Sequence, residues 1–139
     1  MRRLLTIFLF LQFFCACNNN TTETPTSEND VDAARNFIQA ALDGNYKKAR
    51  TFILADSLNN QYLDAIERNY QLRMSPADKS GYRNATPRIL SVRPISDSVS
   101  IINYTNSYKK VNDSLKVVKA NGQWMVDLKY SFASPTSSK

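Results

Sequence analysis

The chain has 139 residues, of which 42% are apolar and 11% aromatic. This is enough for one domain with a hydrophobic core and too few for two. Lysine and arginine outnumber aspartate and glutamate by 18 to 12, and the surplus is scattered along the chain, so we expect no nucleic-acid partner. Histidine is absent, which excludes Ser-His-Asp, Cys-His and HExxH arrangements.

The N-terminal segment has the pattern of an export signal. Met1-Arg2-Arg3 is positively charged, and Leu4 to Phe14 is a run of eleven residues broken only by Thr6 and Gln12. A stable bilayer-spanning helix needs ~20 apolar residues, so this run is too short to be an anchor and has the length of a signal-peptide core. We therefore predict a removable signal peptide over residues 1–16.

The end of this segment resembles the lipobox of bacterial lipoproteins, in which a small residue precedes the cysteine that becomes the mature N-terminus. Ala16 stands before Cys17, whereas bulky phenylalanines precede Cys15. The resemblance implies that Cys17 is the lipid attachment site and that acyl chains hold the protein on a membrane. Asn18 is not an aspartate, which favours the outer membrane of the bacterial cell envelope. The alternative is a plain secretory signal followed by an exposed thiol or by a Cys15–Cys17 disulfide, although a bridge between residues two apart has poor geometry.

Residues 17–29 form a polar segment, and 18–29 contain no aliphatic or aromatic side chain. Such a sequence cannot bury enough surface to offset its ordering entropy. We predict a flexible tether over 17–29, a folded domain over 30–132 and a disordered tail over 133–139.

The first half of the domain has helical periodicity. Apolar residues recur three and four positions apart from Val31 to Leu42, with Asn29 or Asp30 as a cap and Gly44 as the stop. A short second helix is predicted from Tyr46, and a third follows Ser57, with an Asp64–Arg68 pair on its wet side. Ser75-Pro76 is predicted to end the third helix, and residues 75–87 to form a connection without a helix.

The second half alternates with a period of two and predicts strands over 89–95, 99–108, 115–119 and 123–130. Pro94 indicates an edge, a bulge or a strand end. Asn121-Gly122 is the preferred dipeptide of a two-residue hairpin, which sets Val117 opposite Val126 and Lys116 opposite Asp127. One face of this hairpin then carries its apolar side chains, which are Leu115, Val117, Trp124, Val126 and Leu128.

Helices followed by an antiparallel sheet predict an α+β domain, with N-terminal helices on a curved sheet of four or more strands. The segments ARNFIQAALDGNYKKA (34–49) and GQWMVD (122–127) resemble the nuclear-transport-factor-2-like superfamily, also described as cystatin-like, and within it small lumazine-binding-like lipoproteins of unknown function. The resemblance implies a cone-like pocket between the sheet and the helices. Members include isomerases, dehydratases, small-molecule binders and domains without known activity.

No group of residues in the sequence has the pattern of a catalytic site. The carboxylates are predicted at helix starts, turns or polar faces, and none has the pattern of a buried acid with a raised pKa. The serines have no base to activate them, and the three glycines are too far apart for a phosphate loop. We expect no catalytic residue, no metal site and no cofactor.

Five aromatic residues are candidates for lining the cone and stacking a flat or apolar ligand. They are Tyr62, Tyr70, Tyr104, Tyr108 and Trp124. Aromatic side chains at helical and strand periodicity are more often core residues, so this role is the less common one.

Three functions remain open at this point. The first is a membrane-anchored, non-catalytic module that binds a small apolar or aromatic molecule or an envelope protein. The second is a cone-pocket enzyme that uses a tyrosine and a carboxylate for proton transfer. The third is a structural accessory whose cavity is filled by its own side chains.

Overall fold

A computed structural model of the chain describes residues 26–133. The predicted signal peptide, Cys17, most of the predicted tether and the tail after Ala133 lie outside these residues. The first half of the described part contains four helices and a 3₁₀ turn, and the second half a sheet and one further helix. In chain order they are α1 (Asp30–Leu42), α2 (Tyr46–Ala49), the 3₁₀ turn (Arg50–Phe52), α3 (Ser57–Arg73), α4 (Pro76–Arg83), β1 (Pro87–Ser96), β2 (Val99–Asn106), β3 (Asp113–Ala120), β4 (Gln123–Asp127) and α5 (Lys129–Ala133).

The strands of the described residues form one antiparallel sheet in the order β1-β2-β3-β4. The predicted α+β class, with N-terminal helices on a four-stranded antiparallel sheet, is confirmed. None of the helices in residues 26–133 has the length and apolar character needed to cross a bilayer.

Helix α1 packs across the sheet and supplies much of the core. The Asn29 side chain caps it by accepting a hydrogen bond from the Asp32 amide at 2.9 Å, and negative charge in the first turn suits the helix dipole. After Asp43 the chain turns through Gly44, whose φ of +73° favours glycine. The buried apolar face of α1 meets the apolar face of the sheet, and the two together comprise Ala33, Ala34, Phe37, Ile38, Ala40, Leu42, Ile102, Leu115, Val117 and Val126.

The predicted β3–β4 hairpin is confirmed in type and register. Asn121 and Gly122 both have positive φ, of 50° and 80°, as the two-residue turn requires. Val117 pairs with Val126 and Lys116 with Asp127. The apolar face predicted for this hairpin is buried at four of its five positions, and Trp124 is half-buried against the core.

The end of β4 differs from the prediction, because the strand stops at Asp127 instead of continuing to Tyr130. The Leu128 amide donates to the side-chain oxygen of Asn59 at 2.7 Å, and the Lys129 amide donates to the Asp127 carboxylate at 3.3 Å. Because these amides bond to side chains, they do not extend the β3–β4 ladder. The chain then forms the short helix α5.

The connection predicted over residues 75–87 is also wrong, since Pro76–Arg83 is helical. Ser75 does end the preceding helix, but its side chain also caps a new one by accepting the Asp78 amide at 3.0 Å. Proline at the first helical position and an acid in the first turn both favour a helix start.

The two edges of the sheet are protected in different ways. At β4, Ile53 forms a parallel bridge to Val126, and the Leu54 amide donates to the Val126 carbonyl at 3.0 Å. At β1 the outer edge has no strand beside it among residues 26–133. That strand carries Pro87 and Pro94, and its register shifts twice, which confirms the edge and bulge indicated by Pro94.

Candidate ligand pocket

A pocket of about 480 Å³ lies between the helices and the sheet. We call it the helix–sheet pocket. Its inner wall is apolar and aromatic, and its mouth is polar where β2 runs into β3. The lining residues are Phe37, Ile38, Ala41, Leu42, Tyr46, Ile66, Tyr70, Met74, Tyr82, Tyr104, Asn106, Lys109, Val111, Asn112 and Asp113. The volume is within the range of small-molecule sites in proteins.

The far side of the pocket is formed by α3, and its position depends on a glycine. Ile66 and Tyr70 lie one turn apart on α3 and both line the pocket. A β-carbon built on Gly44 would lie 2.8 Å from the ring of Tyr70, so only glycine leaves room for this ring. Tyr70 also contacts Tyr46 edge-on, with centroids 5.6 Å apart and the planes at 63°.

Four tyrosines line the pocket, and they differ in how their hydroxyls are bonded. Tyr104 donates to Oδ2 of Asp113 at 3.1 Å. The hydroxyls of Tyr46, Tyr70 and Tyr82 have no hydrogen-bond partner among residues 26–133, yet no fully buried side-chain oxygen or nitrogen of these residues lacks one. Tyr46 is only 5% exposed, and within the described residues its hydroxyl, like those of Tyr70 and Tyr82, is free to bond a ligand in the pocket that these side chains line.

Burial also determines the charge state of these tyrosines. It raises the pKa of Tyr46, with further contributions from Tyr70 and Glu67. Burial likewise raises the pKa of Tyr104, and the neighbouring Asp113 carboxylate adds to this effect. Both side chains are neutral phenols at physiological pH. The Tyr104 proton is donated to Asp113, whereas the Tyr46 hydroxyl can donate to a ligand.

A cluster that joins α4 to the β2–β3 loop borders the mouth. Asp78 accepts hydrogen bonds from the Tyr108 hydroxyl at 3.0 Å and from the Lys109 ammonium at 2.7 Å. We call Asp78, Gly81, Tyr108 and Lys109 the mouth clasp. The bond from Lys109, with those from Ser75 and Tyr108, lowers the pKa of Asp78 to about 2. A β-carbon on Gly81 would lie 2.4 Å from the Tyr108 ring, so the glycine lets this ring lie against α4.

The structure does not bring the five predicted aromatic residues into one site. Tyr70 and Tyr104 line the helix–sheet pocket. Tyr108 follows the end of β2 and belongs to the mouth clasp, where its ring meets Tyr82 edge-on with centroids 5.3 Å apart. Tyr62 stacks on Phe132 of α5 at 4.3 Å, and Trp124 packs against the core with the Lys119 ammonium 5.9 Å from its ring centroid.

Several lining residues were not expected at a site. Tyr46 lies at the start of the short second helix that was predicted, and Tyr82 lies in the segment predicted to contain no helix. The Ser-Pro-x-Asp pattern at 75–78 is a helix-start signal, and it would have placed Tyr82 on α4. Lys109 and Asp113 lie between the strands predicted over 99–108 and 115–119; both are exposed, and both border the pocket.

A second polar cluster lies where β4 ends. We call Asp56, Asn59, Lys116, Asp127 and Lys129 the β4 junction. Asp127, at the end of β4, is only 6% exposed. The Lys116 and Lys129 ammonium groups each lie 3.5 Å from its carboxylate, and the Asn59 amide also lies 3.5 Å away.

Asp56 completes this junction at the start of α3. It accepts the Asn59 backbone and side-chain amides, each at 2.8 Å, and the Lys129 ammonium at 2.7 Å. These contacts, led by the Asn59 backbone hydrogen bond, lower the pKa of Asp56 to about 2. The polar groups of the junction bind one another, so the cluster is structural. Within residues 26–133 no group of three or more aspartate, glutamate, cysteine or histidine side chains is arranged to hold a metal ion.

The fold resembles that of a solved structure. No protein-family model matches the sequence, and no curated protein matches it. An NTF-2-like protein of unknown function from Shewanella oneidensis MR-1 superposes with a TM-score of 0.51 and 14% sequence identity, over 69% of this chain and 89% of that one. At this identity the likeness bears on the fold alone, so the described part of the chain has an NTF-2-like α+β fold.

Proposed function

We propose that the protein is a lipid-anchored binding module of the bacterial cell envelope, and that its helix–sheet pocket holds a small, largely apolar molecule. The observation that carries the binding role is the pocket itself, about 480 Å³ with an apolar wall and three tyrosine hydroxyls that have no partner among residues 26–133. Apolar surface with a few available donors is typical of ligand sites.

The volume supports binding over a purely structural role. A cavity filled by the protein's own side chains would hold at most a water or two, and a single water occupies ~30 Å³ in the liquid. The pocket is many times larger.

One observation favours the enzymatic alternative. Tyr104 and Asp113 give a phenol and a carboxylate 3.1 Å apart at the pocket, which is the pair that such proton transfer would need. The raised pKa of Tyr104, however, makes its hydroxyl a weaker acid at neutral pH. We therefore favour binding, with Asp113 as the base to test.

Deuterium exchange separates these two roles. Cyclohexanone incubated with the protein in D₂O would acquire deuterium beside its carbonyl faster than in buffer alone if Asp113 were a base, and Asp113→Asn would abolish the excess. Under the binding role, wild-type protein leaves the exchange at the buffer rate, as does Asp113→Asn.

The anchor is proposed on the lipobox-like sequence around Cys17. Intact mass spectrometry of the protein released gently from its native envelope should show acyl chains on Cys17, and the Cys17→Ser variant should become soluble. A mature chain that begins at Met1, or that carries an unmodified thiol, would contradict the anchor and the envelope location.

The same native spectra test the pocket. We expect a retained small molecule, or a site that can be loaded with an apolar compound such as indole. Ala41 lines the pocket, so Ala41→Trp should occupy the volume and prevent retention. Ala55 is exposed and outside the pocket, and Ala55→Trp is the matched control. Equal retention in both variants would contradict the pocket as the site.

A further inference from the structure

We propose that the helix–sheet pocket selects organic cations, with an ammonium group placed beside the Asp113 carboxylate and the tyrosine rings and with an apolar body against the inner wall. This inference rests on the proposed binding function and adds the charge of the ligand. Three features of the pocket carry it: an uncompensated carboxylate, a neutralised lysine and a set of aromatic rings.

Asp113 supplies negative charge and has no cationic partner among residues 26–133. Its Oδ2 accepts from the Tyr104 hydroxyl at 3.1 Å and its Oδ1 from the Ser114 amide at 2.7 Å. Both donors are neutral. The ion pairs formed within residues 26–133 use the carboxylates of Asp32, Asp56, Asp64, Asp78 and Asp127. The Asp113 charge is therefore available to a ligand.

Lys109 lines the same mouth but does not cancel that charge. Its ammonium lies 2.7 Å from Asp78 and 4.8 Å from the centroid of the Tyr108 ring. Asp78 is not among the lining residues. Because Lys109 is paired with Asp78, Asp113 is the charged lining residue that has no ion-pair partner within residues 26–133, and its carboxylate attracts cations and repels carboxylates.

The tyrosine rings provide a second attraction for a cation. The π face of a tyrosine attracts an ammonium group within ~6 Å of its centroid, most strongly when water is excluded. Four such rings line the pocket, and the ring planes of Tyr46 and Tyr70 are inclined at 63° to each other. The Lys79 ammonium, which donates to the Gln71 carbonyl, lies 5.5 Å from the Tyr70 centroid, within the distance at which a cation and a ring attract each other.

The inner wall determines the remainder of the ligand. The side chains that line it have no hydrogen-bonding group, and they are Phe37, Ile38, Leu42 and Ile66. A fully hydrophilic cation such as ammonium or spermidine would leave this wall unfilled. The ligand class is therefore an amphipathic amine or quaternary ammonium compound, in which burial of the apolar part contributes ~25 cal/mol per Å².

Three probes with one aromatic body and different charges test this directly. Benzyltrimethylammonium is cationic, benzyl alcohol neutral and phenylacetate anionic. Titration calorimetry at low salt should give a dissociation constant about tenfold smaller for the cation than for the neutral probe. Phenylacetate should bind more weakly than either.

Matched variants identify the charge responsible. Asp113→Asn should raise the dissociation constant of benzyltrimethylammonium about tenfold and leave that of benzyl alcohol unchanged. Asp97 is exposed in the β1–β2 turn, lies outside the pocket and forms no ion pair within residues 26–133. Asp97→Asn therefore makes the same change in net charge and should leave all three affinities at their wild-type values.

The outcomes separate this inference from the binding function. If benzyl alcohol or phenylacetate binds as well as the cation, or if Asp97→Asn weakens the cation as much as Asp113→Asn, the cation preference is overturned and the binding site stands. If none of the probes binds, and indole is not retained either, the pocket is not a binding site and both proposals fail.

Discussion

The β4 junction and the helix–sheet pocket both hold polar side chains inside the folded body, and they differ in how those side chains are bonded. At the junction, Asn59 is 0% exposed, its oxygen accepts the Leu128 amide, and its amide donates to Asp56 and Asp127. In the pocket, three tyrosine hydroxyls have no partner among residues 26–133. Polar groups bonded to one another stabilise a structure, whereas accessible and unbonded ones are available to a ligand.

The comparison predicts unequal responses to removing a polar group. The largest loss is expected for Asn59→Ala, which leaves the Leu128 amide without its acceptor and removes a donor beside the buried Asp127. We expect the free energy of unfolding in urea to fall by about 3 kcal/mol. Asn69→Ala, at an exposed position of the same helix, should change it by less than about 0.5 kcal/mol. Equal losses would mean that the junction contributes no specific stability.

A backbone substitution at the edge of the pocket comes next. Gly44→Ala combines a φ of +73° with a β-carbon 2.8 Å from Tyr70, whereas Gly122→Ala has a φ of +80° and nothing within 4 Å. Unfolding in urea should show a loss of about 2 kcal/mol for Gly44→Ala and about 1 kcal/mol for Gly122→Ala. The difference measures the displacement of Tyr70, and it should appear as shifted ring resonances of Tyr70 in NMR spectra. If the two variants lost the same stability, the β-carbon at position 44 would not displace the Tyr70 ring.

The mouth clasp should contribute to the stability of the fold only within a defined pH range. The pKa of Asp78 falls from 3.8 to about 2 on folding because Lys109, Ser75 and Tyr108 bond its carboxylate. A lowered carboxyl pKa gives stability that is present above the unfolded value and is lost as pH falls through the folded value. In urea unfolding, wild type should lose this contribution between about pH 4 and pH 2, and Asp78→Asn should lack it.

The control for the clasp is Asp97→Asn, which should retain the wild-type pH profile. Asp56 has a similarly lowered pKa, so the Asp78→Asn profile should be flattened and not abolished. A profile identical to wild type would show that the clasp does not contribute to stability.

The smallest effect is expected inside the pocket. Tyr46→Phe removes a hydroxyl that has no partner in residues 26–133 and keeps the ring, so the free energy of unfolding should change by less than about 0.5 kcal/mol. Measured beside Asn59→Ala under the same conditions, this variant makes the comparison quantitative. A loss above 1 kcal/mol would indicate that the hydroxyl has a structural role.

Features that depend on residues close together along the chain were predictable from the sequence, and features that depend on distant residues were not. The β3–β4 hairpin was predictable because Asn121-Gly122 sets the register and each pair lies a few residues apart along the chain. The end of β4 was not, because Asn59 and Leu128 are 69 residues apart and no local pattern marks their hydrogen bond. The predicted Asp64–Arg68 pair fails for the same reason, since Asp64 instead binds Arg50 at 2.6 Å.

For the pocket, the sequence predicted the type of lining residue but not which residues come together. Tyrosines were expected to line it, and Tyr70 and Tyr104 do. Tyr62 shares the helix of Tyr70 but lies two turns away, where α5 brings Phe132 against it. Since Lys129 and Tyr130 were expected to continue β4 and no helix was predicted after it, this contact could not be anticipated. Tyr82 was not predicted to line the pocket because the helix that carries it, α4, was not predicted. Asp113 was not predicted because its position depends on the loop before β3.

The construction of β1 has a consequence for how copies of this protein meet one another. A long, regular outer strand offers a row of free amide and carbonyl groups that a neighbouring chain can extend into a shared sheet. Here two prolines each remove one amide hydrogen, the register slips twice, and Arg88 and Arg93 add like charges. Lateral polymerisation through this strand is therefore disfavoured, and crowded copies should stay dispersed.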